Sequence, residues 1–304
     1  MMDISPNRLS ILLAVHRAGG VVAAAETLQV SPSAVSQQIR QLERECGSRM
    51  LHRFPTGATL TQAGRILAET AERIEAELTT ARRELADLDE TVPSGVVRVG
   101  SFASAVRALL LPLLTVLEET RPGLELVVEE AEEAAALPRL RRGELDLVLL
   151  ERDEHTLPRA PRGMADAPML DEAWLVVVPP EQPAPTTLAD LVRATWIDMA
   201  PSTAGAFALD RLERHLGTPL TTRHVAYDYD VVLAMVNQGL GCALLPELAV
   251  YAGDVPEGVG VARLPGLGTR QLVVRHRSTR TEPGPATRAV LEALLQQAQS
   301  LELG

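Results

Sequence analysis

Between Thr61 and Val92 the chain contains no proline, and Leu67, Ala71, Ile74, Leu78, Ala81, Leu85 and Leu88 recur there in alternating steps of four and three. That spacing sets seven apolar side chains on one stripe of a helix, a heptad seam with Glu and Arg around it. With Thr61 as its cap the helix runs about 29 residues, roughly 44 Å at 1.5 Å per residue. So long and narrowly apolar a helix leaves its stripe wet unless something covers it. A second copy of the chain does this best, and the other solution lays the helix on its own domain. Either way the helix divides the chain into a small leading segment and a large trailing one, and Thr91-Val92-Pro93-Ser94-Gly95 reads as the hinge between helix and remainder.

The leading segment is the only positively charged part. Residues 1–65 carry seven Arg against four acids, residues 66–90 three against eight, and the rest nineteen against twenty-eight, within a net charge of -11. A general basic coat for nucleic acid is excluded, so any grip on a polyanion must be local. In LQVSPSAVSQQIRQLE, Ser31 suits an N-cap and Pro32 the first helical position, where a missing N–H costs nothing. Val35, Ile39, Leu42 and Cys46 then form an apolar stripe facing a core. Ser33, Ser36, Gln37, Arg40 and Arg44 stand on the other side. Such groups can bond base edges or phosphates: Gln with adenine, Arg with guanine or phosphate, Ser with either. GGVVAAAETL reads as a short Ala-rich helix before it, joined through Gln29-Val30-Ser31, and Asn7 to Ala18 supplies a third helix. In CGSRMLHRFPTGATLT two short apolar segments punctuated by Gly47, Pro55 and Gly57 suit a β-wing with Arg53 and Thr56 at its tip. Pattern alone leaves an ordinary amphipathic helix pair open beside the helix-turn-helix.

AAETLQVSPSAVSQQIRQLE, the wing and the following LTQAG resemble the DNA-binding domain of the LysR-type transcriptional regulators, closely over residues 5–90 and by pattern beyond. The resemblance implies a recognition helix in the major groove of double-stranded operator DNA. Ser31, Ser33, Ser36, Gln37 and Arg40 would serve it, with Arg53 and Thr56 on the backbone. It favours the dimer reading of the long helix, implies a homodimer or homotetramer, and adds RNA polymerase as a partner if the protein activates. Pro32-Ser33, Gln37 and Thr56 depart from the family's usual residues and imply a thinner phosphate grip.

Beyond Gly95, short β-branched or Leu-rich runs alternate with helical ones, the mark of an α/β domain. The order resembles the family's two-lobed effector domain, which is like that of periplasmic binding proteins. It implies crossings near Asp166–Leu170 and Leu267–Gln271. The fold class is therefore α/β, with a mostly α winged helix-turn-helix over residues 1–60, a linker and dimerisation helix over 61–90, a hinge over 91–95 and an effector-binding domain over 96–304. One lobe takes about 96–166 and 270–304, the other about 167–269. In such folds ligands sit between lobes at strand C-termini and helix N-termini. Three segments match: Ser101, Phe102 and Ser104 after the first strand; Met199, Ser202 and Thr203, with Phe207 further on; and Tyr227-Asp228-Tyr229-Asp230 before a helix. Ser and Asp at such places also serve as plain caps. The two Asp are unusual beside an anion and favour an amine-bearing ligand.

The remaining signals are negative. No run reaches the roughly 18 apolar residues that span a bilayer, and MMDISPNRLS lacks a basic-then-apolar leader, so a cytoplasmic protein without membrane contact is expected. Cys46 and Cys242 would then be reduced thiols. No His, Cys or acid spacing suggests a metal, GLGCALLP lacks the Lys and spacing of a phosphate loop, and no Ser or Cys has a base partner. No cofactor and no enzymatic activity are expected. A solute-binding protein without DNA would account for residues 96–304 but not for the winged segment.

Overall fold

Ser31 accepts from the backbone N of Ala34, Pro32 follows it, and a helix of 15 residues begins there. It is the third of three: α1 (Pro6–Arg17), α2 (Val21–Thr27) and α3 (Pro32–Cys46). The computed structural model describes residues 4–54, 57–86, 93–153, 160–201, 203–279, 282–301 and 303. Within them the chain up to Ala86 is one compact unit, and most of the chain beyond it is a second.

In the first unit Leu9, Leu12 and Leu13 of α1, Ala24 and Ala25 of α2, and Val35, Ile39 and Leu42 of α3 meet in one buried cluster. The small residues of α2 let the helices approach closely. Gln29, in the turn between α2 and α3, has φ 55, a backbone state that side chains other than Gly rarely take. Gly47 ends α3 in the left-handed conformation, as helices often end. Strands β1 (Leu51–Phe54) and β2 (Gly57–Leu60) form an antiparallel wing in which Leu51 faces Leu60 and Arg53 faces Ala58. Thr61 caps α4 (Gln62–Ala86), accepting from the N of Gly64 at 3.0 Å while donating to the carbonyl of Arg49 at 2.7 Å. Gly64 is required there, because a Cβ would lie 2.2 Å from the carbonyl oxygen of Met50.

The second unit opens with β3 (Gly95–Ser101), flanked in parallel by β4 (Leu124–Glu130) and β5 (Leu147–Asp153). The helix expected from Ala103 to Glu119 forms as α5 (Ala103–Ala105), a π-turn over Val106–Leu110 and α6 (Leu111–Thr120). Pro112 has no N–H to give Ala108, so the turn before it widens. The next helix, α7 (Glu133–Arg141), tolerates Pro138 inside it.

The long strand β6 (Met164–Val178) joins the two lobes. Its first part, to Ala173, pairs with β11 (Thr269–Arg277), and Trp174 onward pairs with β9 (Ala243–Pro246) and β10 (Gly260–Ala262). The chain thus changes lobe at Ala173–Trp174, a few residues after the expected Asp166–Leu170. Pro168 and the acids Asp171 and Glu172 hide the first half of this strand from a hydropathy reading, and a register shift opposite Leu272/Val273 accommodates the proline. The first lobe's sheet runs β4-β3-β5-β11-β6. The second lobe adds β7 (Thr195–Met199) and β8 (Thr221–Ala226), in parallel, with the helices α8 (Ala204–Leu216), α9 (Tyr229–Asn237) and α10 (Glu247–Ala252). The final helix α11 (Pro285–Gln299) returns to the first lobe's core, where Val290 and Leu294 pack with Val97, Leu147 and Leu272.

Candidate nucleic-acid interface and binding cleft

One flank of α3 is tied to α1. Arg8 donates to Gln38 at 3.1 Å and reaches Glu45 at 2.6 Å, and Gln41 donates to the same Glu45 carboxylate at 3.0 Å. The opposite flank is open: Ser33, Gln37, Arg40 and Arg44 are exposed and Ser36 is half-buried. Ser31 and Ser33 share a hydroxyl–hydroxyl hydrogen bond of 2.9 Å, so Ser31 serves chiefly as the cap that aims the helix. The exposed set stands on one face of a helix whose other face is buried, an arrangement that fits a groove. Arg53 is placed by its strand on the wing, but its side chain and all of Thr56 lie outside the described residues.

The heptad seam divides. Ala71 is only 2% exposed, and Leu67 and Ile74 pack on the same cluster as α1 and α3. Over the first half of the expected dimer seam, Leu67 to Ile74, the chain's own α1 lies along α4, and Arg17 ties the two by its pair with Glu75 at 2.9 Å. Further on Leu78 is 58% exposed and Ala81 is exposed. The side chain of Leu85 and all of Leu88 lie outside the described residues.

In the second unit, residues of both lobes close on a cavity of about 160 Å³. Phe102, Ser104, Met199, Thr203 and Asp228 line it, five of the side chains expected there. Phe207 borders a wider hollow of about 560 Å³ that shares Thr203, Tyr227, Glu132 and Glu151 with it or its neighbour. Ser101 does not take part: strand alternation turns it inward, fully buried, with its hydroxyl 3.4 Å from the carbonyl of Phe102. Ser202 lies outside the described residues. Thr203 caps α8 by accepting from Ala206 N at 3.2 Å, and Asp228 caps α9 by accepting from Asp230 N at 2.8 Å. Gly205 brings the first turn of α8 against Met199, where a Cβ would lie 2.6 Å from Met199 Cγ.

Sequence reasoning missed the charged wall of this cleft. Arg270 of β11 is fully buried, donating to Glu172 at 2.7 Å and to Glu151, with Ser104 Oγ at a long 3.5 Å. Its guanidinium lies 5.2 Å from the Phe102 ring centre and 5.7 Å from that of Tyr229. Arg152 grips Glu133 with both terminal nitrogens. Between the lobes, Arg211 of α8 donates twice to Asp153 of β5, at 2.8 and 2.9 Å, and Arg107 pairs with Asp230. Glu132 has its carboxyl pushed up, first by burial and then by Glu151 and Glu130. The available signal was charge embedded at the ends of apolar strands, in LLER, LDEA and RQLVV.

Comparison with known proteins agrees with this architecture. Residues 6–65 match the family described as bacterial regulatory helix-turn-helix protein, lysR family, and residues 90–299 match the LysR substrate binding domain. The chain is 31% identical over 265 residues to the probable HTH-type transcriptional regulator LrrA of Synechococcus elongatus, covering 85% of each. It is 28% identical over 267 residues to the DNA-binding transcriptional dual regulator OxyR of Escherichia coli, covering 85% of this chain and 83% of that one. Among solved structures, a full-length OxyR variant from Pseudomonas aeruginosa superposes with a TM-score of 0.69 at 22% identity, covering 99% and 97%. CbnR in complex with its target DNA gives 0.57 at 24%, covering 97% and 99%. These last two show the shared fold, and the family follows from the sequence matches. The chain belongs to the LysR family of DNA-binding transcriptional regulators, with an N-terminal helix-turn-helix and a two-lobed effector-binding domain.

Proposed function

We propose that α3 reads an operator through Gln37 and Arg40, and that a small molecule in the cavity between the lobes sets the regulator's activity. The observation that carries this reading is the convergence of Phe102 and Ser104 from one lobe with Met199, Thr203 and Asp228 from the other on a single cavity. A ligand touching both lobes binds their closed arrangement better than an open one, and that difference is what shifts a population. The working assembly is a homodimer or homotetramer in the cytoplasm, joined in part through Leu78 and Ala81. RNA polymerase is a further partner if the protein activates.

Several relatives are named hydrogen peroxide-inducible genes activators. A peroxide sensor needs an accessible thiolate. Burial pushes the Cys242 thiol up, and Gln182 Nε2 lies 3.4 Å from its sulfur. This chemistry favours a reversibly bound effector over thiol oxidation.

The test is a thermal-shift screen of metabolites on the full-length protein, followed by DNA binding with any hit. Ser104→Ala and Tyr227→Ala should each shift the hit's dose-response to higher concentration, by about 0.5–1.5 kcal/mol for a lost neutral hydrogen bond at Ser104. A hit whose dose-response is the same in wild type and both variants places the effector elsewhere.

A further inference from the structure

The charges around the cleft are unbalanced in one direction. Glu130, Glu132, Glu133, Glu151 and Asp228 line the overlapping cavities, against Arg152 alone. Arg152 is committed to Glu133, and Arg270, behind the wall, is held between Glu172 and Glu151. The starts of α8 and α9 are closed by their own caps, Thr203 and Asp228. An anion entering here meets no uncommitted arginine among the described residues, and at these two helices it meets capped amides.

The groups left over accept from a cation. The carboxylates of Glu130 and Glu132 line the cavity and form no side-chain hydrogen bond or ion pair with a described residue. The Tyr229 side chain is independent evidence. It is 8% exposed, it lines the same cavity, and its hydroxyl oxygen is buried near the Arg270 guanidinium without a well-aligned hydrogen bond to any described residue. A buried hydroxyl left unsatisfied is costly, and a ligand N–H would satisfy it. The ring of Tyr227 borders all three hollows and is exposed. Among the described residues no three His, Cys, Asp or Glu converge as ligands for a metal ion, which favours an organic cation.

We propose that the effector is a small organic cation, whose ammonium or guanidinium head is held by Glu130, Glu132 and the Tyr229 hydroxyl, with its carbon chain along Tyr227. This rests on the reading of the cleft as the effector site. The head group occupies the inner cavity of about 160 Å³, and the rest of the molecule lies in the wider hollow beside Phe207. Glu132 and Glu130 supply charge-assisted hydrogen bonds, stronger than those between neutral groups.

The experiment is isothermal titration of the full-length protein with agmatine, putrescine and tyramine, and with glutarate, benzoate and magnesium chloride as contrasts. At least one amine is expected to bind saturably, with no binding by the two carboxylates. Glu132→Gln should weaken that amine about tenfold or more, the loss of one hydrogen bond to a charged group. Glu132 is exposed, and circular dichroism checks that the variant is folded. Binding of a carboxylate that Tyr227→Ala abolishes would overturn the cation and leave the cleft reading standing. Saturable binding by magnesium alone would overturn the organic ligand. If no probe binds, or if binding is indifferent to both Glu132→Gln and Tyr227→Ala, the proposal fails. Indifference to both Ser104→Ala and Tyr227→Ala of an effector that alters DNA binding removes the cleft reading as well.

Discussion

Arg270 and Glu172 stand at facing positions of the antiparallel pair β11/β6, with Nε donating to Oε1 at 2.7 Å and neither side chain exposed at all. Glu151 answers the guanidinium from β5, and the backbone N of Leu248, at the start of α10, donates to the second Glu172 oxygen. One arginine thus joins two carboxylates at the strand that links the lobes. Burial works against its charge, and Glu172 and Glu151 more than offset this, so Arg270 holds its proton more firmly than an ordinary arginine.

Arg270→Met strands the fully buried Glu172 carboxylate and takes the partner from Glu151, which also borders the cleft. Removing one partner from a buried ion pair costs about 3–5 kcal/mol, far more than the pair itself contributes. Urea denaturation should show that loss for Arg270→Met. Adding Glu172→Leu should recover part of it. A loss under about 1 kcal/mol would mean that the Glu172 carboxylate is solvated or protonated in the variant.

Gln29 holds φ 55 in the turn before the recognition helix. A β-branched side chain fits that backbone poorly, so Gln29→Val should destabilise the protein by about 1–2 kcal/mol, whereas Gln29→Gly should be tolerated. Parallel urea titrations of the two variants check the difference, and equal midpoints would argue against the left-handed turn.

Along α4, Ala71 and Leu78 should separate folding from association. Ala71→Leu overfills a packed site and should cost about 1–3 kcal/mol in stability. Leu78→Glu replaces an exposed residue and should leave unfolding nearly unchanged while weakening the dimer. Sedimentation equilibrium of Leu78→Glu reads the association directly. A dimer as tight as wild type would remove Leu78 from the interface.

The three helices, the wing and α4 were legible because each signal was local. Ser31-Pro32 starts α3, Gly47 stops it, and the stripe Val35, Ile39, Leu42 faces the buried cluster. The division of the seam was not legible, because heptad spacing says which side of α4 is apolar and not what lies against it. In the cleft, Thr203 and Asp228 were expected as effector-binding residues, and they line the cavity while also capping α8 and α9. Arg270 was invisible for a different reason. Its partners Glu151 and Glu172 are 119 and 98 residues away in sequence, and only the pairing of β11 with β5 and β6 brings them together. Ser101 misled because a hydroxyl at a strand's end points to the cleft or the core according to alternation, which a sequence cannot phase to one residue.

Glu132 makes cation binding pH-dependent with a definite sign. Its carboxyl lies above the ordinary value through burial and then through Glu151 and Glu130. A bound cation favours the ionised form and draws the pKa down, so binding releases protons. Affinity should rise as pH rises through the raised Glu132 value and level off above it. Calorimetry in two buffers of different ionisation enthalpy measures the release. Glu132→Gln should diminish it, and proton uptake would reverse the argument.

The most direct test of the account is the outward face of α3. A fragment selected from random DNA for tight binding to the full-length protein, and a scrambled version of it, should be titrated across a salt series with wild type, Gln37→Ala and Arg40→Ala. Gln37→Ala should lose about 1–3 kcal/mol on the selected fragment and little on the scrambled one, the mark of a side chain that reads a base edge. Arg40→Ala should lose affinity on at least the selected fragment, and on both, with a shallower salt slope, if it contacts phosphate. If neither substitution changes binding to either DNA, the exposed face of α3 is solvated surface and the protein does not read its operator there.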